Sequence, residues 1–427
     1  MARVLITTIG SSGDIHPFIA IALELKSRGH AVEMLVNPYY HERILAEGIA
    51  VRALGTREDL LRVLHHPDLA KQWRSPQLII RELISGSVGP TVRGVEESIR
   101  EFKPDVLVRH HISLGSRWVA QREKIPVATC TLAPVFWFNQ HDPAVHRSTQ
   151  MEQAPPWLMR LRLSVGKVIL RFLYDRPLNV QRRAHAFAPL TDQFRREVEE
   201  CDAVLGLWSP AFRAKMEGDP AHAHVCGFCT FDRAHGQEAA AGDVQAFLKE
   251  CGSDAPLVFT LGTSVVHHHN GFYELAAEAI RKLGRRAVLL VGDMAYAPKT
   301  LPPGVKAFAY APYSQLFDAA GAIVHHGGVG TTAAAMRAGK PTVIIPFAND
   351  EFDNARRAKV LGCSVTLHAR KLTAARLEAA LREATSSQRI AEGSRVMGEA
   401  LRRDQGASVA ADRIESLIQG HSREGKH

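Results

Sequence analysis

Apolar runs of four or five residues, most of them closed by glycine, proline or a polar pair, recur along this chain with amphipathic stretches between them. Residues 4–8 and 31–36 read as strands with a helix over 17–28 between them, and 105–109, 127–131 and 203–207 read as later strands of the same sheet. The pattern then restarts with apolar runs at 257–264, 287–291, 305–309, 322–324 and 342–346. Two successive series of alternating strand and helix predict an α/β protein built from two doubly wound parallel sheets. Between them, residues 232–242, rich in Ala, Gly and Gln, read as a linker, so the chain divides into 1–231, 243–393 and a closing segment 394–427 with a helix over about 394–419. Segments 57–89 and 134–156 are less regular and rich in Pro, His, Trp and Phe.

The 427 residues, 46% hydrophobic and 23% charged, suffice for two domains with separate cores. The amino terminus passes directly into a strand without a cationic leader, and no apolar run reaches the roughly 18 residues of a membrane span. The expected location is cytoplasmic. Six scattered cysteines make no disulfide framework, so reduced thiols are expected. A formal charge of +9 suits an anionic partner or membrane face. Nucleic acid is the weaker reading, because the basic residues are dispersed and no stacking-aromatic cluster accompanies them. The densest basic segment, 157–183, has the period of an amphipathic helix. A helix packed on the domain edge with snorkelling arginines is the favoured reading, and peripheral contact with the inner membrane face is the other.

Candidate chemistry concentrates at His325-His326-Gly327-Gly328-Val329-Gly330-Thr331-Thr332. Three glycines within four positions let backbone amides approach a ligand, and the helix that follows turns its positive end to the same place, a combination that holds phosphate. After the next strand, Asp350 and Glu351 reach the same crevice, where carboxylates suit a hydroxyl-rich ligand. At the other end of the chain, Asp14 follows Gly10 and Gly13 in a tight turn after the first strand. It reads either as a base or as the cap of a helix led by Pro17.

Tyr310-Ala311-Pro312, His325-His326-Gly327-Gly328, Gly339-Lys340-Pro341, Asp350-Glu351 and Asn354-Ala355, in that order, resemble the donor signature of the family 1 nucleotide-sugar glycosyltransferases. Thr7-Thr8-Ile9-Gly10-Ser11-Ser12-Gly13-Asp14-Ile15-His16-Pro17 is similar to that family's first strand and acceptor loop, so the resemblance spans both halves. It is nearest to bacterial rhamnolipid-type rhamnosyltransferases and to antibiotic and sterol glycosyltransferases. The resemblance implies the GT-B architecture, two facing Rossmann-like domains with a cleft between them, and inverting transfer from a nucleoside diphosphate sugar to a lipophilic hydroxyl acceptor. It implies Asp14 as base with His16 nearby, Thr263, Ser264, His325 and the 327–331 amides on the diphosphate, Tyr310 and Ala311 on the nucleobase, and Asp350 and Glu351 on the sugar. Ser12, Gly13, His110, His111, Phe136 and Phe138 would face the acceptor, with segments 57–89 and 134–156 building its pocket. No metal or other cofactor is expected, and the assembly is left open between monomer and homodimer.

Two departures bear on the donor. Ala333 stands where plant members hold the ribose diol with Glu, which favours a deoxyribose nucleotide such as dTDP over UDP, and Glu351 replaces the usual Gln. Competing readings are weaker. A zinc site at His222, His224, Cys226 and Cys229 has suitable residue types but runs into the linker. A nicotinamide oxidoreductase would use Gly10 to Gly13 with Glu33, but lacks the full glycine spacing. A non-catalytic nucleotide-sugar binder and an epimerase remain as further alternatives.

Overall fold

The computed structural model describes residues 1–143, 156–233 and 238–424. Within these, β1 (Arg3–Thr7), β2 (Ala31–Val36), β3 (Ala50–Ala53), β4 (Val106–His110), β5 (Val127–Thr131), β6 (Ala203–Gly206) and β7 (Ala223–Val225) form one sheet. A second contains β8 (Leu257–Thr260), β9 (Ala287–Leu290), β10 (Val305–Phe308), β11 (Ala322–His325), β12 (Thr342–Ile344) and β13 (Ser364–Thr366). Their orders are β3-β2-β1-β4-β5-β6-β7 and β10-β9-β8-β11-β12-β13, with every pairing parallel. The central strands are apolar on both faces for a reason. Val4, Ile6, Val106 and Val108 enter one core while Leu5 and Leu107 enter the core on the opposite face. Strand order reverses between β1 and β4 and again between β8 and β11, which opens a crevice at the carboxyl end of each sheet.

Several expectations need correction. The first helix spans Ser12–Ser27, five residues earlier than Pro17 suggested. Ser11 is extended (φ −81°, ψ 177°) and caps it, so Pro17 sits inside, where its missing N–H leaves the Gly13 carbonyl without a helical partner. Residues 57–89 are largely helical: Arg57–Leu64, Ser75–Leu78, a π-helical turn Ile79–Ser85, and the start of Gly86–Glu101. In the 232–242 linker, 234–237 lie outside the described residues, and from Glu238 onward the chain is already helical to Cys251, in keeping with the helix propensity of Ala239, Ala240 and Ala241. Segment 134–156 is described only to 143 and from 156.

The closing helix is two helices, Gln388–Arg402 and Gly406–Glu424. The second lies against helix Ser12–Ser27 of the first sheet's layer, where Arg28 pairs with Asp412 (2.6 Å) and Glu415 (2.9 Å) and His30 meets Glu415 (2.8 Å). The break has a packing cause. A Cβ on Gly406 would stand 2.6 Å from the Gly227 carbonyl, so only glycine lets the chain cross there. The three missed strands, β3, β7 and β13, are three or four residues long and lie at or beside sheet edges, where no continuous apolar run is needed. Among the described residues no helix is long and apolar enough to cross a membrane.

Candidate active site

The turn after β1 is built around Asp14. Gly10 (φ +122°) passes so close beneath it that a Cβ there would come within 2.3 Å of the carboxylate. Asp14 occupies the third position of the helix, where its Oδ2 accepts from the Ser11 amide (2.8 Å) and the Ser11 hydroxyl (3.1 Å). Thr8 Oγ1 donates to the Asp14 carbonyl (2.9 Å) and Tyr40 Oη to the Gly10 carbonyl (3.1 Å), which locks the turn. The residue is half-buried, its carboxylate deep in the cleft. Desolvation lifts its pKa to about 7 against the Ser11 hydrogen bonds, and the charge of Asp350 adds to the rise. The two candidate carboxylates therefore face the same space from different domains.

His16 is otherwise engaged. Arg43 Nη1 lies 2.9 Å from its Nε2, and because a guanidinium only donates, the ring accepts there and carries its proton on Nδ1. Its pKa falls to about 4 through burial and the Arg43 charge, so the lone pair that a base would use is taken.

In the second sheet, β8 and β11 are neighbours with Thr260 opposite His325, which sets the 261–264 and 326–330 turns side by side. Thr263 is exposed and Ser264 half-buried. The cradle differs in detail from a row of free amides. The Gly327 amide donates to His325 Nδ1 (3.1 Å), so it is spent within the loop. That bond fixes the tautomer: Nε2 carries the proton, and it is buried without a partner. Burial, with the neighbouring His326, holds the pKa of His325 at about 3, so it is a neutral donor. Gly328 and Gly262 serve a different end, since a Cβ on either would strike the His326 ring at 2.3 and 2.4 Å. Helix Val329–Arg337 makes its first bond from the Thr332 amide to the Gly328 carbonyl, which leaves the amides of Val329, Gly330 and Thr331 unpaired within the helix. A Cβ on Gly330 would lie 4.0 Å from Gly13 Cα. The starts of helices Ser12–Ser27 and Val329–Arg337 thus meet across the cleft.

Asn354, one turn along helix Glu351–Val360, donates to Asp350 Oδ2 (2.8 Å) and to the Gly327 carbonyl (3.0 Å), joining the two turns. Asp350 has a pKa raised to about 6 by burial despite Asn354. Glu351 is set differently. Its Oε2 accepts from the Phe347 and Ala348 amides (2.6 and 2.9 Å), so it caps its own loop, and burial still lifts its pKa to about 8. Tyr310 is half-buried near Asp232 and Arg43, with its pKa pushed up to about 12 by burial and then by Asp232. Ala311 is buried beside it, and Ala333 is buried in helix Val329–Arg337.

Beyond β4 and β5, His111 stands 4.2 Å from Phe136, ring to ring, and both ring nitrogens of His111 are buried without a partner. Phe138 (5.4 Å) and Tyr174 (4.6 Å) surround Phe194 in the same aromatic group. His110 turns to the Ile9 carbonyl (3.3 Å) and Phe18 instead. Phe194, Tyr174, Arg43 and Ser11 escaped the sequence reading because each reaches the site through tertiary contact or a short-range bond without a periodic signal. Glu33 is held by Arg52 (3.1 Å) and Ser98 (2.5 Å) within β2, so the nicotinamide reading loses its ribose ligand. Among the described residues no group of three or more His, Cys, Asp or Glu could hold a metal ion.

Two facing Rossmann-like domains, each presenting its switch-point turns to a shared cleft, define the GT-B class. Residues 4–111 match the glycosyltransferase family 28 N-terminal domain, and 287–416 the erythromycin biosynthesis protein CIII-like C-terminal domain. A sterol 3-beta-glucosyltransferase of Leptosphaeria maculans is 26% identical over 436 residues, which cover 97% of this chain and 29% of that protein. The O-mycaminosyltylonolide 6-deoxyallosyltransferase of Streptomyces fradiae is 25% identical over 97% of each chain. The crystal structure of glycosyltransferase VinC in complex with dTDP aligns with a TM-score of 0.68 at 18% identity, over 98% of this chain and 99% of that one. The chain therefore spans less than a third of the sterol enzyme but nearly all of the 6-deoxyallosyltransferase. Its first part thus matches a glycosyltransferase domain and its second an erythromycin-biosynthesis domain, and the relatives it resembles along nearly its whole length are glycosyltransferases.

Proposed function

We propose that this protein transfers a sugar, rhamnose or glucose, from a dTDP- or UDP-sugar to the hydroxyl of a lipophilic small molecule or lipid, with inversion at the anomeric carbon. Asp14 takes the acceptor proton as the acceptor oxygen attacks that carbon, and the bond to the diphosphate breaks. The departing negative charge is met by the Nε2–H of His325, the amides of Val329, Gly330 and Thr331, and the positive end of their helix. Thr263 and Ser264 stand at the same crevice, Asp350 receives sugar hydroxyls, and Tyr310 with Ala311 receives the base. Protein donors alone supply this positive potential, so the scheme calls on no metal. The aromatic group of His111, Phe136, Phe138, Phe194 and Tyr174 suits an apolar acceptor.

The observation that carries the reading is Asp14: a carboxylate with a pKa near 7, held by Ser11, facing the amide-lined helix start of the other domain. Support for a sugar nucleotide and an apolar acceptor comes from the sterol 3-beta-glucosyltransferase and the O-mycaminosyltylonolide 6-deoxyallosyltransferase the chain resembles, and VinC is seen with dTDP. Calorimetric titration with dTDP, UDP and their rhamnose and glucose conjugates tests the donor. Tighter thymidine binding is expected from the buried Ala333; a uridine preference moves the donor to UDP-glucose, and binding of neither removes the donor site.

A further inference from the structure

We propose that the outer face of helix Pro156–Ala184 seats this protein on an anionic lipid surface. The helix has two unlike faces. Tyr174 and Leu178 are buried in the first domain's core, and Asp175 accepts from the amides of Asp192 (2.7 Å) and Gln193 (2.9 Å), which fixes its carboxyl half. On the other side, Trp157, Leu161, Val165, Val168 and Phe172 recur at the spacing of one helical stripe, and all are exposed, Phe172 at 74% and Trp157 at 66%. Nearly half of the large apolar side chains exposed among the described residues stand on this one helix. A buried edge helix accounts for the first face and leaves the second unexplained.

Charge selects the occupant. Residues 156–184 carry seven Arg or Lys and one acid, and that acid, Asp175, accepts from two backbone amides and lies 3.7 Å from Arg171. Arg171 and Arg176 are exposed one residue before and four residues after Phe172, beside the stripe. An apolar stripe with cationic neighbours is the arrangement of a helix lying in a bilayer interface, where side chains enter the acyl boundary and arginines meet anionic headgroups. A second copy of the chain would bring two cationic faces together. Tyr174, on the same helix, contacts Phe194 of the aromatic group, so a helix resting on lipid adjoins the pocket assigned to the acceptor.

The test is co-sedimentation with vesicles of phosphatidylcholine, with and without phosphatidylglycerol. It compares the wild-type chain with Val168→Ser/Phe172→Ser, Arg171→Gln/Arg176→Gln and a control, Val396→Ser, at an exposed position of the other domain. Wild type and control are expected to bind the anionic vesicles. The serine pair should lose on the order of 100-fold in partitioning, and the glutamine pair about thirtyfold, on anionic vesicles only. Nucleoside diphosphate titration of the same four proteins should give equal affinities, so that loss of vesicle binding is separable from misfolding and from failure of the donor site. Absence of wild-type binding, or equal binding by the serine pair, overturns the proposal. So does a dimer in sedimentation velocity that the serine pair dissolves, because the face would then belong to a second copy.

Discussion

Asp14 illustrates how one side chain's surroundings set a chemical role. A carboxylate that takes a proton from an alcohol works best when its pKa lies near the working pH, and burial supplies that shift here. Activity is therefore expected to rise with pH and level off above about 7, and a pH–kcat/KM profile checks the inflection. Asp14→Asn should lower kcat by about 10²- to 10⁴-fold while leaving nucleotide affinity nearly unchanged; near-normal turnover would remove Asp14 from the role of base. The same shift carries a stability consequence. A carboxyl whose folded pKa is raised from 3.8 to about 7 contributes stability below its ordinary range that is lost as pH rises through the folded value. Asp14→Asn should thus melt above wild type at pH 8, and the gap should shrink at pH 5. His325→Ala removes a neutral donor that is buried and unpaired, so diphosphate binding should weaken by about 1.5–3 kcal/mol, measured by calorimetry.

Among the elements, the closing helix pair does the most to join the two halves. Helix Gly406–Glu424 follows directly from the second domain's Gln388–Arg402 but packs on the first domain's helix Ser12–Ser27, with Ala410, Ala411 and Ile414 in the first domain's core. Its crossing depends on a backbone contact too close for any side chain. Gly406→Ala is expected to cost about 1–3 kcal/mol in chemical denaturation, because neither the Gly227 nor the Phe228 backbone can move far. The two short turns at β8 and β11 show the same economy, for the His326 ring lies between Gly262 and Gly328.

For the whole molecule, an ion network spans the cleft. Asp142, from the loop after β5, meets Arg356 (3.1 Å) and Arg357 (2.8 Å) of the second domain and Arg213 (3.1 Å) of the first, and these arginines pair in turn with Asp353 and Asp219. Charge from the three arginines outweighs burial and holds the Asp142 pKa at about 2. Arg356 and Arg357 lie on the helix that carries Asn354 next to Asp350, so this network fixes the second domain's sugar-side turn against the first domain. Asp142→Asn leaves buried arginines short of a partner and is expected to destabilise the fold by about 3 kcal/mol. It should also raise KM for the donor more than Arg28→Ala, which loses only pairs to Glu24 and the closing helix; equal effects would show that the network has no special bearing on the site.

Much of the architecture was legible because it rests on local rules. Central strands buried on both faces must be runs of aliphatic residues, as in 4–6 and 106–108, and glycine clusters after such strands mark turns that approach a ligand. Those rules located both switch-point turns, Asp14 and the His325 loop, from composition and order along the chain. What they could not reach depends on residues far apart in the chain. Whether Gly327 offers its amide to a ligand or to His325, whether His16 is free or bound by Arg43, and whether Glu351 faces a sugar or its own loop all turn on single hydrogen bonds set by packing. The pKa values of Asp14 and Asp350 belong to the same class, since burial in the folded chain produces them, and the facing Asp350 adds to the rise of Asp14. Periodicity likewise revealed an amphipathic helix at 157–183 but not which of its faces the core would cover, because a hydrophobic stripe is identical in sequence whether it meets a neighbouring helix or open solvent.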